Sequence, residues 1–557
     1  MTTVLHGPQL ARLLGRWHGG RSVPDYLALA GTVRGLLADG RLSLGVRLPA
    51  ERELALALGI SRTTVSAAYR TLRESGHLTS RRGAGSWTTI PGGARVGSTG
   101  LWTPESAPDL LDLGTAALPA PPQLASAAAE ALTDLPGYLS GAGYHPTGLI
   151  ELRATVARSY AARGVPTGPD QIMITSGLWA AHDDVDMIDL GVAASGAPIE
   201  LVTAARAAAD DLPRYLGSTG YHPIGLPELR EAVAGRYASR GVPTSAEQIL
   251  ITAGTQQALD LVLRLSVPAG SPVLVESPTY PNALAAVVGR RGRVLTHGLS
   301  EAGWDAELLL ATLRQNRPRL AYLVPEFQNP TGHLMDDRLR ERLPAAAHVA
   351  GTDLVVDESF VELSLDEPAM PLPVAAYDRH ARVLSIGGMS KPYWGGLRIG
   401  WIRAAAPLVQ RLAAVRVGMD MAGPVLDQLV AARLLGYADE VVAARRELLR
   451  ERRDALVLAL DKELPEWRYR LPTGGVTLWV ELDAPVSGAL ARAAESYGVR
   501  LAPGPRFGMD GTMERFLRLP YTLPPDQLVE AVSRIAAARR DLERPARRTW
   551  EAPALVA

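Results

Sequence analysis

The chain is 557 residues long, has a formal net charge of zero and contains no cysteine. Its length predicts more than one domain, and the missing cysteines exclude disulfides and thiol chemistry. No apolar run is long enough to span a membrane, and the N-terminus lacks a signal-peptide pattern. We therefore expect a cytoplasmic protein with no membrane contact.

The positive charge is concentrated at the start of the chain. The first 95 residues hold thirteen arginines against five acidic residues. A basic leading domain on a neutral body indicates a polyanionic partner for that domain alone. We expect this domain to span residues 1–90, with a flexible linker over residues 91–108.

Glycine, proline and capping residues divide the leading domain into elements. A leader with one amphipathic turn near residues 10–14 precedes three predicted helices, at 24–39, 50–58 and 61–75. On the third helix Val65, Tyr69 and Leu72 recur at helical spacing and are expected to face inward. A hairpin with a basic, glycine-rich tip comes next, over residues 78–89. These elements predict a helix-turn-helix with a wing.

The amino-acid sequence of this region resembles that of a known family. Residues 45–54, GVRLPAEREL, and 59–65, GISRTTV, resemble the GntR family of winged helix-turn-helix domains. The resemblance implies binding to double-stranded operator DNA through the recognition helix and the wing. It assigns that contact to Arg47, Arg52, Ser61, Arg62, Thr63, Thr64, Arg70, Arg82 and Gly83. The alternative is a three-helix packing domain with an exposed basic face.

A duplication lies after the linker. Residues 112–177 recur as 189–254 at a fixed offset of 77, with 39 identities in 66 positions. Two copies are too few for a solenoid, so we interpret them as an in-frame duplication within one domain. We expect an extra copy over residues 109–186, a main domain over 187–540 and a loose tail over 541–557.

The two copies differ at their C-terminal ends. The second copy continues into an apolar helix that starts at Thr255, whereas the first breaks off soon after its strand, predicted over 172–177. A helix N-terminus behind a glycine is a phosphate-binding site. The sequence therefore favours the second copy as the one that binds a phosphate, through Gly254, Thr255 and Gln256.

Apolar strands alternate with helices through the main domain. Strands are predicted at residues 273–275, 320–324, 354–356 and 383–386, and helices at 255–265, 307–314 and 337–349. This alternation predicts a mostly parallel sheet covered on both faces. The fold class is thus multidomain, an α+β winged helix followed by an α/β domain. Ligands of such sheets bind at the carboxyl ends of the strands.

Lysine is almost absent from the chain. Of 58 lysines and arginines only Lys391 and Lys462 are lysines. An amine can lose its proton and form a Schiff base, which a guanidinium cannot. Lys391 lies in a small-residue turn, and seven residues later Arg398 is placed to hold a phosphate. Lys462 lies between two acidic residues and is expected on the surface.

The segment around Lys391 carries a second resemblance. Residues 385–401, SIGGMSKPYWGGLRIGW, resemble the lysine motif of fold-type I, class I/II aminotransferases. The resemblance implies a pyridoxal 5′-phosphate (PLP)-dependent transferase domain in which Lys391 holds the cofactor as a Schiff base. It places Arg398 and the Gly254–Gln256 turn at the cofactor phosphate, and it includes Ser390 among the cofactor-binding residues.

The same resemblance assigns the remaining contacts. Tyr280 matches the residue that stacks on the pyridine ring, Asn329 the amide that donates to the phenolic oxygen, and Asp357 the carboxylate at the ring nitrogen. Arg518 matches the arginine that holds a substrate or effector carboxylate. Tyr221 matches a tyrosine that reaches the cofactor phosphate of the partner subunit, which implies a homodimer; Tyr144 is its duplicate.

Two positions depart from the family pattern. Gly388 replaces a hydroxyl residue that is common three positions before the lysine, so one hydrogen bond to the phosphate is expected to be missing. Phe360 stands where a tyrosine is usual, so a hydrogen bond to the phenolic oxygen is expected to be lost.

Together the two domains resemble the MocR/GabR-type transcription regulators. That resemblance implies a dimeric regulator that senses PLP, or a small amino compound that reacts with it. One alternative is a working PLP-dependent aminotransferase with a DNA-binding appendage. Another is an aminotransferase-like domain that serves only to dimerise the DNA-binding domain. This alternative requires that Lys391, Asp357 and Asn329 no longer have a function. Sensing is favoured over catalysis.

Overall fold

The computed structural model of the chain describes residues 4–18, 23–81, 85–91, 147–163, 165–174, 188–190, 193, 195–215, 222–366, 370–420 and 422–543. Four residues singled out above lie outside these ranges: Arg82, Gly83, Tyr144 and Tyr221. Most of the predicted linker and tail lies outside them as well.

The described helices are α1 (Gly7–Leu14), α2 (Asp25–Ala38), α3 (Glu51–Leu58), α4 (Arg62–Glu74), α5 (Ile150–Ala161), α6 (Glu200–Asp211), α7 (Pro227–Ser239), α8 (Thr255–Ser266), α9 (Pro281–Gly289), α10 (Ala306–Asn316), α11 (Asp337–Ala350), α12 (Ala406–Val417), α13 (Val425–Leu435), α14 (Ala438–Glu463), α15 (Ser487–Glu495) and α16 (Pro525–Glu543). No helix within the described ranges combines the length and the hydropathy needed to cross a bilayer.

The described strands are β1 (Leu78–Arg81), β2 (Gly85–Thr88), β3 (Ile188–Asp189), β4 (Ile249–Thr252), β5 (Pro272–Ser277), β6 (Arg293–Gly298), β7 (Leu320–Leu323), β8 (Asp353–Asp357), β9 (Val383–Gly388), β10 (Gly400–Arg403), β11 (Arg468–Tyr469), β12 (Thr477–Glu481), β13 (Val499–Arg500), β14 (Ala502–Pro503) and β15 (Phe516–Pro520).

Helices α1 to α4 and the β1–β2 hairpin form the first domain around one apolar cluster that contains Val65, Tyr69 and Leu72. The three predicted helices are confirmed within one or two residues at each end. Ser61 caps α4 by accepting a hydrogen bond from the Thr64 amide at 3.1 Å. The predicted single turn of the leader was too short, because α1 has eight residues. Its Leu10 is buried in the apolar cluster.

The main domain is built on a seven-stranded sheet in the order β4-β10-β9-β8-β7-β5-β6. Strands β5 to β9 pair in parallel, and β10 pairs antiparallel with β4 and β9. Alternate residues of β7 enter different apolar clusters, Leu320 and Tyr322 in one and Ala321 and Leu323 in the other. The predicted mostly parallel sheet, covered on both faces, is confirmed.

A smaller sheet lies C-terminal to the first in sequence. Its strands follow the order β11-β12-β15-β14, and Arg518 lies in the middle of β15, opposite Trp479 of β12. Helix α16 extends to Glu543, so the predicted start of the tail at residue 541 was too early.

The two copies of the duplication occupy different environments. The second copy supplies α6, α7 and β4, and β4 pairs with β10 at one edge of the large sheet. The first copy supplies α5, but its predicted strand is wrong over residues 172–174, which form no strand. The reason is that β4 of the second copy already takes the place beside β10.

Candidate functional site

A pocket opens at the carboxyl ends of the central strands. The space between its walls is about 680 Å³ and is open to solvent. Ten predicted site residues line it: Gly254, Thr255, Gln256, Tyr280, Asn329, Asp357, Ser390, Lys391, Arg398 and Arg518. Five further residues complete the lining: Ala193, Tyr322, Val324, Ser359 and Phe360.

Lys391 lies just after β9 on a short π-helical turn over Ser390–Trp394. Such turns are frequent at functional sites because they displace a side chain from its regular helical direction. Its Nζ donates a hydrogen bond to the carbonyl oxygen of Ala193 at 3.0 Å. Loss of hydration lowers the pKa of Lys391 to about 8, and the charge of Arg518 adds to this effect. A substantial fraction of the amine is therefore neutral near pH 8, as a nucleophile requires.

An anion cradle lies beside Lys391. Gly254 adopts a φ of +103° and is followed at once by α8, whose first amides are free of intrahelical partners. Arg398 donates from Nη2 to the carbonyl of Ala253 at 2.8 Å, so its guanidinium lies against the same turn. At Gly388 an added Cβ meets the carbonyl oxygen of Ile399 at 3.2 Å and Thr255 Cγ2 at 3.4 Å. A larger residue at 388 therefore presses on the cradle.

Asp357 is held by two residues that the sequence analysis did not identify. Tyr322 on β7 donates its hydroxyl to Asp357 Oδ2 at 2.6 Å, and Ser359 donates its hydroxyl and amide to Oδ1 at 2.5 and 2.9 Å. Burial raises the pKa of Asp357, and these hydrogen bonds act in the opposite direction. The only sequence signal for Tyr322 was its place on a strand next to the one that ends at Asp357.

The loop that carries Asn329 is held in place by the side chain of the preceding residue, Gln328. Gln328 donates from Nε2 to Glu276 Oε2 at 2.9 Å and to the Pro278 carbonyl at 2.8 Å, which ties the loop to the segment that carries Tyr280. Among the described residues, Asn329 Oδ1 and Gln256 Oε1 are buried without a hydrogen-bond partner. Buried polar atoms of this kind are costly unless a ligand or water satisfies them.

Arg518 faces the pocket from the smaller sheet. It is 5% exposed, and its guanidinium carbon lies 5.1 Å from the ring centroid of Phe507, within cation–π range. Phe360 is buried on the pocket wall. The hydroxyl that Phe360 lacks is not restored by Tyr322, because the Tyr322 hydroxyl is directed to Asp357.

The predicted DNA-contact residues lie on the first domain, apart from the pocket. Arg47, Arg52, Arg62, Thr63 and Arg70 are exposed. The Ser61 hydroxyl lies 2.7 Å from that of Thr63 and 2.8 Å from that of Thr64, at the N-terminus of α4. A helix N-terminus with hydroxyls and arginines presents both phosphate-binding and base-reading groups to DNA.

The first domain contacts the main domain beside this pocket. The Met513 amide donates to the carbonyl oxygen of Ala38 at the end of α2. Ser43 Oγ donates to the carbonyl oxygen of Thr296 on β6 at 3.0 Å. An added Cβ at Gly40 would lie 2.4 Å from Met513 Cε and 3.0 Å from Ser277 Oγ. The contact therefore involves the end of β5, just before Tyr280.

Comparison with known proteins places both domains in families. A model of the aminotransferase class I and II family matches residues 185–535, and a model of the bacterial regulatory proteins, gntR family, matches residues 25–87. The first match takes in the second copy of the duplication and leaves the first copy outside.

Relatives of the chain include an enzyme and a regulator. The 2-aminoadipate transaminase of Thermus thermophilus is 36% identical over 336 residues, 59% of this chain and 82% of that protein. The probable rhizopine catabolism regulatory protein MocR of Rhizobium meliloti is 26% identical over 534 residues, 94% of this chain and 95% of that protein. The crystal structure of LysN, the α-aminoadipate aminotransferase of Thermus thermophilus, complexed with N-(5′-phosphopyridoxyl)-L-leucine, is 34% identical. Its TM-score is 0.58, and the match covers 62% of this chain and 92% of that chain.

Proposed function

Because the chain belongs to the aminotransferase class I and II family and carries a gntR-family domain, the arrangement of MocR-type regulators, we propose that it is a homodimeric transcription regulator. In this proposal the first domain binds double-stranded operator DNA. The main domain binds PLP and senses it, or senses a small amino compound that reacts with it.

The residues of the pocket fit PLP. Burial raises the pKa of the Asp357 carboxyl, and the charge of Lys391 acts in the opposite direction. A protonated pyridine nitrogen beside this carboxylate would favour its charged form further. The Gly254–Thr255 turn and Arg398 form a cradle suited to a phosphate. The partnerless Asn329 Oδ1 marks a polar group that a ligand can orient.

When bound, PLP supplies an electrophilic carbon and an electron sink. The chain's own residues then have separate tasks. With the cofactor bound, Lys391 would supply the amine, Asp357 would keep the ring nitrogen protonated, and Tyr280 would lie against the ring. Arg518 would hold the carboxylate of an incoming amino compound.

One structural relationship supports sensing above all. Arg518 lies over Phe507, and the Phe507 carbonyl accepts a hydrogen bond from the Thr279 amide at 2.9 Å, next to Tyr280. The segment that contains Phe507 continues to Met513, which bonds to Ala38 of the DNA-binding domain. A ligand that shifts Arg518 or Tyr280 therefore acts on elements in direct contact with α2. Coupling requires only that the ligand binds two arrangements of this contact with different affinity.

DNA binding measured with and without the cofactor tests this proposal. The probe is a duplex that the protein selects from a random-sequence library, and binding is measured by fluorescence anisotropy. Saturating PLP should change the affinity by about 5- to 150-fold, the usual range of allosteric coupling. Identical affinities for the apo and PLP-saturated proteins contradict cofactor sensing. If an added amino compound then changes the affinity, that compound is the effector.

Active transamination is the second candidate, since Lys391, Asp357, Asn329 and Arg518 all line one pocket. Single-turnover absorbance with a panel of amino acids separates the two functions. A regulator shows a spectral change without release of a keto acid, whereas an aminotransferase releases it and turns over with a second keto acid.

A further inference from the structure

The two copies of the duplication fold into the same local unit. Helix α5 and a 3-10 turn at Pro169–Gln171 correspond to α7 and a turn at Ala246–Gln248, at the same offset. Arg153 Nε donates to the Pro169 carbonyl at 3.0 Å, as Arg230 Nε does to the Ala246 carbonyl at 2.9 Å. The first copy is therefore already shaped like the second.

Residues 224–251 of the second copy fill a cleft of the main domain, which we call the slot. Its walls are β10, helix α13 and the loop after β8. Gln428 of α13 accepts a hydrogen bond from the Leu226 amide at 2.8 Å, and Glu358 pairs with Arg240 at 2.8 Å. Strand β4 completes the contact by pairing with β10.

The side chains that fill the slot are retained in the first copy. Nine apolar residues of 224–251 are buried: Leu226, Leu229, Val233, Ala234, Tyr237, Val242, Ile249, Leu250 and Ile251. Eight of the nine are identical in residues 147–174, and the ninth is Met173 in place of Leu250. Over the other nineteen positions only nine are identical. The differences thus fall mainly where the slot imposes no constraint.

In the first copy Ala157 is buried as well, but three of the other side chains lack such cover. Tyr160, Val165 and Met173 are 43%, 52% and 64% exposed, whereas their counterparts in the slot are at most 2% exposed. The first copy also keeps the positive charge that faces Glu358 in the slot. Arg163 corresponds to Arg240, the ion-pair partner of Glu358. Two ion pairs are missing, since Ser159 replaces Arg236, which pairs with Glu362 and Asp439.

We propose that residues 147–174 are an alternative occupant of the slot in the same chain, in exchange with residues 224–251. The same chain is the source because covalent tethering raises the local concentration of the first copy above that of any second molecule. The second copy is the preferred occupant, since it keeps the two ion pairs of Arg236 and is continuous with α8.

Exchange has a consequence for the cofactor pocket, which rests on the proposed function. Strand β4 leads through Gly254 directly into α8, so only the second copy joins the slot to the anion cradle. When the first copy occupies the slot, that connection is broken and the cradle is lost. The exchange is proposed for the protein alone, and its test requires neither cofactor nor DNA.

Hydrogen exchange of the full chain, read by mass spectrometry, tests the proposal because peptides from the two copies differ in sequence. Leu229→Ala/Val233→Ala weakens only the second copy, and Leu152→Ala/Val156→Ala is the matched change in the first. In the former variant, the peptide covering α5 should exchange at least about tenfold more slowly than in the wild type, while the α7 peptide exchanges faster. The quadruple variant should lose the slowing. An unchanged α5 peptide beside a deprotected α7 peptide overturns the proposal.

A second measurement covers the case in which the double variant does not fold. The single change Leu229→Ala is made in the full chain and in a chain that lacks residues 112–188. If the first copy can replace the second, the fall in Tm is larger in the deletion background. Equal falls in the two backgrounds overturn the proposal.

Discussion

The carbonyl oxygen of Ala38, at the end of α2, accepts a hydrogen bond from the amide of Met513 in the main domain. Gly40, two residues later, has a φ of +67°, and a Cβ added there would displace the end of the Met513 side chain and press on Ser277 Oγ. The DNA-binding domain thus lies directly on the segments that lead to Tyr280 and Phe507.

Gly40→Ala should uncouple DNA binding from the cofactor. The new Cβ overlaps Met513, and a non-glycine residue in this conformation costs about 1–2 kcal/mol. We expect the variant to keep its PLP absorbance while its DNA affinity no longer responds to PLP. Gly45→Ala is the control, because Gly45 has a φ of +71° but nothing within 4 Å of the added Cβ. If Gly40→Ala responds to PLP like the wild type, this contact does not carry the signal.

Lys391 should be the single point of covalent attachment. The purified protein is expected to be yellow, and borohydride should fix the cofactor on the chain. Lys391→Ala should lose the visible band and the fixation. Lys462→Ala is the control, since Lys462 is exposed and pairs with Glu463 at 3.3 Å. Fixation that persists in Lys391→Ala locates the reactive amine elsewhere.

Capture of PLP by the apo protein should depend on pH through Lys391. Its pKa lies at about 8, below the ordinary 10.5, because the amine loses hydration. Only the neutral amine attacks a carbonyl carbon, so the rate rises as pH increases through 8 and levels off above it. Stopped-flow absorbance measures this profile. A rate that rises about tenfold between pH 8 and pH 9 and levels off only above pH 10 shows that Lys391 has an ordinary pKa.

DNA binding should depend on two arginines. Arg62 lies at the start of the recognition helix α4, and Arg52 lies on the preceding helix α3. Arg52→Ala and Arg62→Ala should each cost about 1–3 kcal/mol of binding free energy if they read a base, and weaken the salt dependence if they contact phosphates. Arg158→Ala, an exposed arginine of the first copy, is the control. Gel shifts in which the Arg52→Ala/Arg62→Ala double variant binds like the wild type reject the winged-helix assignment.

The sequence predicted most of the fold because its signals were local. The Ser61 cap, the glycine after α3 and the buried β-strands each depend on a few neighbouring residues. The prediction failed where the outcome depended on distant partners. Residues 172–174 have nearly the same sequence as residues 249–251 of β4. They form no strand, because β4 already pairs with β10.

The same limit applied to the pocket. Ten of its fifteen lining residues were predicted as site residues because they match motifs at the ends of strands. Tyr322 and Ser359 were missed, since their role depends on a hydrogen bond across two parallel strands and on a turn around one carboxylate. No spacing in the sequence indicates which side chain a buried tyrosine reaches.

Tyr322→Phe should weaken cofactor binding without removing the pocket. The change deletes the 2.6 Å hydrogen bond to Asp357 and keeps the ring that fills the core. Because that bond opposes the effect of burial, its loss raises the pKa of Asp357 further and makes the carboxylate a poorer partner for a protonated ring nitrogen. A hydrogen bond to a charged group contributes about 1.5–3 kcal/mol, so PLP affinity should fall by about tenfold or more.

Tyr521→Phe is the control, since it deletes a buried tyrosine hydrogen bond of 3.1 Å to the Gly474 carbonyl, which is not at the pocket. Fluorescence titration with PLP gives the Kd, and Tm reports stability. Equal loss of PLP affinity in both variants shows that Tyr322 acts on stability alone.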